Sequence, residues 1–195
     1  MISSATGIGL ILLLTILPEP ALQRTITVYS PFQEQDRQSY DALQARIVGR
    51  YGDWRSSYVP GHLHAGVDLK GDYEEQVHAI GRGKVMNVSG RFPNRSVIIT
   101  HQQADQTWSY AIYTHLEEIT VKRGDLVDQN TVLGRLFTAD ELERSRFGTA
   151  THLHLEIRKD LRDNGRASYR SMTRADLDRH CLDPLPFFQR AFNRQ

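Results

Sequence analysis

The chain has 195 residues, 39% hydrophobic and 24% charged, with a formal net charge of +1. That is the size and texture of one globular domain with extensions, and the near-neutral balance excludes nucleic-acid binding driven by bulk charge. The single cysteine, Cys181, excludes an intrachain disulfide and a cysteine-rich zinc site, and we expect it to be a small buried hydrophobe.

Residues 7–17 form an almost unbroken apolar run, followed by Pro18 and Pro20. Its length lies within the roughly 7–15 residues of a signal-peptide core and below the ~20 residues of a membrane span. Residues 1–6 hold no Lys or Arg, and no clear small-x-small cleavage site follows, so a short uncleaved anchor and a buried N-terminal helix stand beside the signal peptide as readings. Export or membrane attachment through residues 1–22 is the expectation. Residues 23–47 read as an N-terminal extension: a linker or short strand, then a helix within 33–47 on the stripe Tyr40, Leu43 and Ile47.

From Val48 onward, glycines and turn residues punctuate short β-like runs at residues 85–88, 96–100, 108–114, 119–121, 132–137 and 152–158. Such regular spacing predicts a mainly β domain, an antiparallel sandwich or barrel with short peripheral helices, over residues 48–190. Thr138-Ala-Asp-Glu141 is a capping box that opens a helix which Gly148 can end. Thr173-Arg-Ala-Asp176 is a weaker box before residues 174–180, and the apolar, Pro-fixed tail from Asp183 is expected to pack back on the domain.

Three short motifs carry the chemistry. In Thr151-His-Leu-His-Leu-Glu-Ile-Arg158, polar and apolar residues alternate, so His152, His154, Glu156 and Arg158 share one strand face and Leu153, Leu155 and Ile157 the other. In His64-Ala-Gly-Val-Asp68, an imidazole and a carboxylate four apart fall on the same side of an extended segment. Two histidines and one aspartate meet the needs of a catalytic zinc site, which keeps its fourth position for water. In Tyr113-Thr-His115-Leu116, His115 sits where a strand ends, with Tyr113 on the same parity.

In this order and spacing the motifs resemble the lysostaphin-type (LytM-like) zinc metalloendopeptidases, which cut peptide links in bacterial peptidoglycan. The likeness extends over residues 48–188 and includes Val121-Lys-Arg-Gly-Asp-Leu-Val127 and the closing Asp183-Pro184. It implies a compact antiparallel β-sandwich of barrel-sandwich-hybrid-like form, one Zn2+ per chain on His64, Asp68 and His154, and unligated catalytic histidines at His115 and His152. It implies peptidoglycan as the partner, a monomer, and a place in the periplasm or cell envelope. Tyr113 would line the cleft. For Glu156, support of a metal ligand and a plain fold-stabilising role both stand. His62, His78, His101 and His180 match no ligand position and read as structural or exposed. With no His-Glu-x-x-His helix, His115 and His152 are the candidates for proton transfer and oxyanion stabilisation.

Two segments depart from the family pattern. Residues 137–151 are longer, charged and helical where a Gly/Ser loop is usual, and residues 101–108 lack the usual glycines. Both are expected to border the cleft. Two other functions compete: a non-catalytic wall-binding or amidase-activating module of the same fold, separable by zinc stoichiometry, and a lipoyl- or biotinyl-type carrier, separable by a modified lysine. The carrier reading leaves the histidines unexplained.

Overall fold

The structure is a computed structural model; it describes residues 27–56, 61–102, 107–146, 150–161 and 173–193. The apolar run at residues 7–17 and Gly148 lie outside the described residues. Among the described residues no helix is long and apolar enough to cross a membrane.

In chain order the elements are α1 (Tyr40–Ala45), β1 (Ile47–Gly49), β2 (Trp54–Arg55), β3 (His62–Leu63), β4 (Val67–Lys70), β5 (Gln76–His78), β6 (Gly83–Ser89), β7 (Ser96–Gln102) and β8 (Trp108–Thr114). There follow β9 (Leu126–Val127), β10 (Val132–Arg135), α2 (Ala139–Ser145), β11 (His152–Arg158), α3 (Arg174–His180), β12 (Cys181–Leu182) and α4 (Pro184–Phe192). The mainly β, antiparallel expectation holds. An eight-stranded sheet runs β1-β4-β11-β8-β7-β6-β9, with β12 also paired to β11; β10-β5 and β2-β3 form two small sheets.

The capping boxes place the helices. Thr138 Oγ1 accepts from the Glu141 amide while the Glu141 carboxylate accepts from the Thr138 amide, starting α2; Thr173 does the first half of this for α3. Helix α2 ends at Arg146, which takes the left-handed conformation at φ 61°, so the stop comes before Gly148. The tail is itself a helix, α4, capped by Asp183 and entered through Pro184. Its Phe188 is fully buried in the main core. Residues 119–121 are not a strand; the Thr120 amide instead bonds the Leu133 carbonyl as a loop crosses β10. The early helix is shorter than its stripe, and Val28, Phe32 and Leu43 join the main core.

Register sorts the central strands into two faces. His154 lies opposite Asp68 on β4 and opposite Thr114 on β8, and Leu155 lies opposite Val67 and Tyr113. Side chains alternate along each strand. Val67, Leu69, Val97, Ile99, Ala111, Tyr113, Leu153, Leu155 and Ile157 therefore form one face, and all lie in the main core cluster. Asp68, Thr114, His152, His154, Glu156 and Arg158 point the other way. That second face is covered as well: a smaller cluster of Tyr51, Ala65, Leu177 and Cys181 packs over it, with Leu63 alongside. Cys181 is buried, as expected. Gly66 permits the close approach of β4 and β11, since a Cβ there would collide with the Leu155 carbonyl oxygen.

Candidate metal centre

The site lies on the second face, at the ends of β4, β8 and β11. His64 precedes β4 and is fixed by backbone bonds in both directions: its amide donates to the Asp53 carbonyl, and its carbonyl accepts from the Gly52 amide. Asp68 and His154 are cross-strand partners. The result is a cluster of three donor atoms. His64 Nε2 lies 2.9 Å from His154 Nδ1 and 3.0 Å from Asp68 Oδ1, and His154 Nδ1 lies 3.0 Å from the same oxygen. All three residues are buried, and they are the group among the described residues able to hold a metal ion.

The surrounding bonds decide which atom each side chain offers. His64 Nδ1 is 2.8 Å from the Arg50 carbonyl oxygen, which can only accept, so the proton sits on Nδ1 and Nε2 keeps its lone pair. His154 Nε2 is 3.0 Å from Glu156 Oε1, which places the proton on Nε2 and leaves Nδ1 for a ligand. Arg55 Nη2 donates to Asp68 Oδ2 at 2.7 Å, directing the other oxygen, Oδ1, inward.

The residues fit zinc. Two imidazole nitrogens and one carboxylate oxygen, mutually 2.9–3.0 Å apart, approach the roughly 3.3 Å spacing of tetrahedral ligands at about 2.0 Å from a metal. The electrostatics call for a cation. Burial works against charge on His154, yet its bonds to Asp68 and Glu156 carry its pKa up to about 9. Burial likewise works against the Asp68 carboxylate, but His154 and His64 hold its pKa well below the usual range. Metal binding would take the place of that proton.

His115 and His152 stand beside the cluster with ring centroids 5.0 Å apart, and the His115 ring lies 6.1 Å from that of His154. His115 Nδ1 donates to the Pro93 carbonyl at 2.9 Å, and His152 Nδ1 to the Ala150 carbonyl at 3.2 Å, so each keeps Nε2 as its proton-accepting nitrogen. His152 Nε2 is 3.9 Å from Asp68 Oδ1. Burial, with His152 and His154 close by, pushes the His115 pKa down to about 3, and burial also lowers that of His152. Both rings are neutral near pH 7.

All five predicted residues are thus brought together. Tyr113 is not with them: its ring is fully buried in the main core, and its hydroxyl accepts from the Ile80 amide at 2.9 Å. The backbone explains the split. Simple alternation would send His115 to the core face with Tyr113, but His115 has φ 70°, and the left-handed turn swings it to the His154 side. Of the other histidines, His62 is buried near enough to feel the charges of His64 and His154. His78 and His101 are also buried, and His180 pairs with Asp160 at 2.7 Å, so these three are structural and not exposed. Sequence reasoning missed Arg50, Arg55 and Pro93. The Arg50 and Pro93 contributions are backbone carbonyls, which leave no mark in residue type.

The family model for peptidase family M23 matches residues 62–168. Among solved structures, the antimicrobial peptidase lysostaphin from Staphylococcus simulans is similar at 20% identity and a TM-score of 0.56, covering 88% of this chain and 57% of that one. Its catalytic domain alone gives 23% and 0.51, covering 77% and 98%, and LytU gives 20% and 0.52, covering 74% and 85%. The chain spans 50% of the length of lysostaphin in its solution structure. A search of curated proteins found no match. At these identities the structural likeness establishes a shared fold.

Proposed function

The chain belongs to peptidase family M23, and from that premise we propose that it is a zinc-dependent endopeptidase that hydrolyses peptide bonds in the stem peptides or cross-bridges of peptidoglycan. One observation carries the reading: two imidazole nitrogens and a carboxylate oxygen converge on one point, the far nitrogen of each imidazole held by an acceptor, and two further imidazoles stand at its edge. The non-catalytic alternative gives no reason to keep His115 and His152 beside a complete ligand set. A zinc stoichiometry near one per chain opposes it, and one near zero favours it.

A zinc ion on His64, Asp68 and His154 supplies a Lewis acid that brings the pKa of bound water toward neutrality and polarises the substrate carbonyl. The remaining work falls to the chain. His115 is held by Pro93 with Nε2 as acceptor, so this nitrogen is the one placed to take a proton from the attacking water. His152 faces it across the 5.0 Å between ring centroids. The ring of the pair that takes the proton becomes an Nε2–H donor, which stabilises the developing oxyanion and then returns the proton to the leaving amine. Phe137 stacks edge-on against His115 at 6.3 Å and Phe92 packs on Phe137 at 5.4 Å, backing the His115 ring. Arg144 of α2 lies over Phe92, so the unusual segment before β11 packs against these rings.

Peptidoglycan lies outside the cytoplasm, which fits export through the apolar residues 7–17 to the periplasm or cell envelope. In this reading the catalytic unit is residues 48–190, a monomer preceded by a leader at 1–22 and an extension at 23–47 whose Val28, Phe32 and Leu43 pack into the same core. Digestion of purified peptidoglycan, followed by mass analysis of the fragments, tests the function. New peptide amino termini should appear, vanish with a chelator and return on adding zinc. Fragments that carry only cleaved sugar bonds would overturn it.

A further inference from the structure

Two deeply buried charges have no part in that mechanism. Glu156 is 0% exposed and Arg158 3%. Burying an ion pair costs several kcal/mol per ion before attraction repays it, and an apolar pair would serve the fold as well. Their positions point instead to His154. The imidazole of His154 lies between two carboxylates: Asp68 Oδ1 is 3.0 Å from Nδ1, and Glu156 Oε1 is 3.0 Å from Nε2. Arg158 Nε lies 3.1 Å from the other oxygen of Glu156, and Arg158 itself sits where β11 pairs with β12, opposite Cys181.

We propose that Glu156 is a positioning residue for the metal. Held by Arg158, it accepts the Nε2 proton of His154, fixes the imidazole so that Nδ1 faces the cation, and supplies negative charge behind it. This deepens, and rests on, the zinc reading above. Strand geometry makes the arrangement rigid: residues two apart on β11 stay on one face, and Gly66 leaves room beside the Glu156 side chain, where a Cβ would stand 3.1 Å from its Cγ. Two variants separate this role from a merely structural one. Glu156→Gln keeps volume and an acceptor oxygen but removes the charge; Glu156→Gln with Arg158→Met also removes the buried cation left alone.

The experiment measures zinc dissociation constants by chelator competition on the full chain and both variants, with thermal unfolding of each metal-free form. Loss of such a supporting carboxylate typically costs 10–100-fold in metal affinity, and that weakening in folded variants is the expected result. Folded variants that bind zinc within about threefold of the parent would overturn the proposal and leave the zinc reading intact. A parent chain that takes up no zinc would overturn both. Should neither variant fold, ring-nitrogen NMR of the zinc-loaded parent decides. A proton on His154 Nε2 with the metal on Nδ1 supports the proposal, and the reverse tautomer overturns it.

Discussion

The two faces of the central sheet are built from the same strands and are about equally buried, yet they do opposite things. On one, Leu153, Leu155 and Ile157 meet Val67, Leu69, Ala111 and Tyr113 in a cluster stabilised by apolar area. On the other, His154, Glu156 and Arg158 are just as dry but polar, and each requires a specific partner. The first face tolerates approximate shape; the second depends on which atom holds each proton. Neighbours in sequence such as His154 and Leu155 should therefore fail in different ways.

The sharpest break in the comparison comes from His154→Ala, which should release the metal and abolish hydrolysis, read as zinc content and fragment release on purified protein. His115→Ala follows, with hydrolysis about 10²–10⁴-fold slower while zinc stays bound; full activity in that variant would remove His115 from the mechanism. One residue along β11, Leu155→Ala should leave zinc stoichiometry near one and instead lower stability by about 2–5 kcal/mol in denaturant titration of the zinc-loaded protein. The last effect, read only as a pH dependence of stability, concerns His101, a titratable group at the end of the apolar face. Burial pushes its pKa down to about 4, against ~6.5 in an unfolded chain. Between those values the unfolded chain binds a proton that the folded chain refuses. Stability should fall as pH drops from about 6.5 to about 4, by roughly 3 kcal/mol for this group, and then level off. His101→Gln should flatten that part of the stability–pH curve.

How much was legible in the sequence varied with the range of the interaction responsible. β8 and β11 are legible residue for residue because seven-residue runs with fixed alternation leave little freedom. The starts of α2 and α3 are legible because their caps are local bonds over three residues. The two-residue strands β2, β3, β9 and β12 have no pattern of their own and exist because a longer strand or a partner hairpin accepts their backbone bonds. In the site, His64, Asp68, His115, His152 and His154 could be chosen from motif and resemblance. The separation of His115 from Tyr113 could not, since it turns on one positive φ at His115 that a non-glycine residue does not advertise.

By itself the sequence determined the antiparallel β character and the apolar side of β11, because these follow from a period of two; the five residues proposed to hold and serve a metal came from motif and resemblance. Tertiary structure decided the rest. It set His154 against Asp68 across β4, turned each ligand's lone pair inward through the Arg50 carbonyl, Arg55 and Glu156, and buried the polar face of β11 under a second small core. The physical reason is that a proton's position on an imidazole depends on its hydrogen-bond partner, and the partners that matter here lie on other strands or in distant loops.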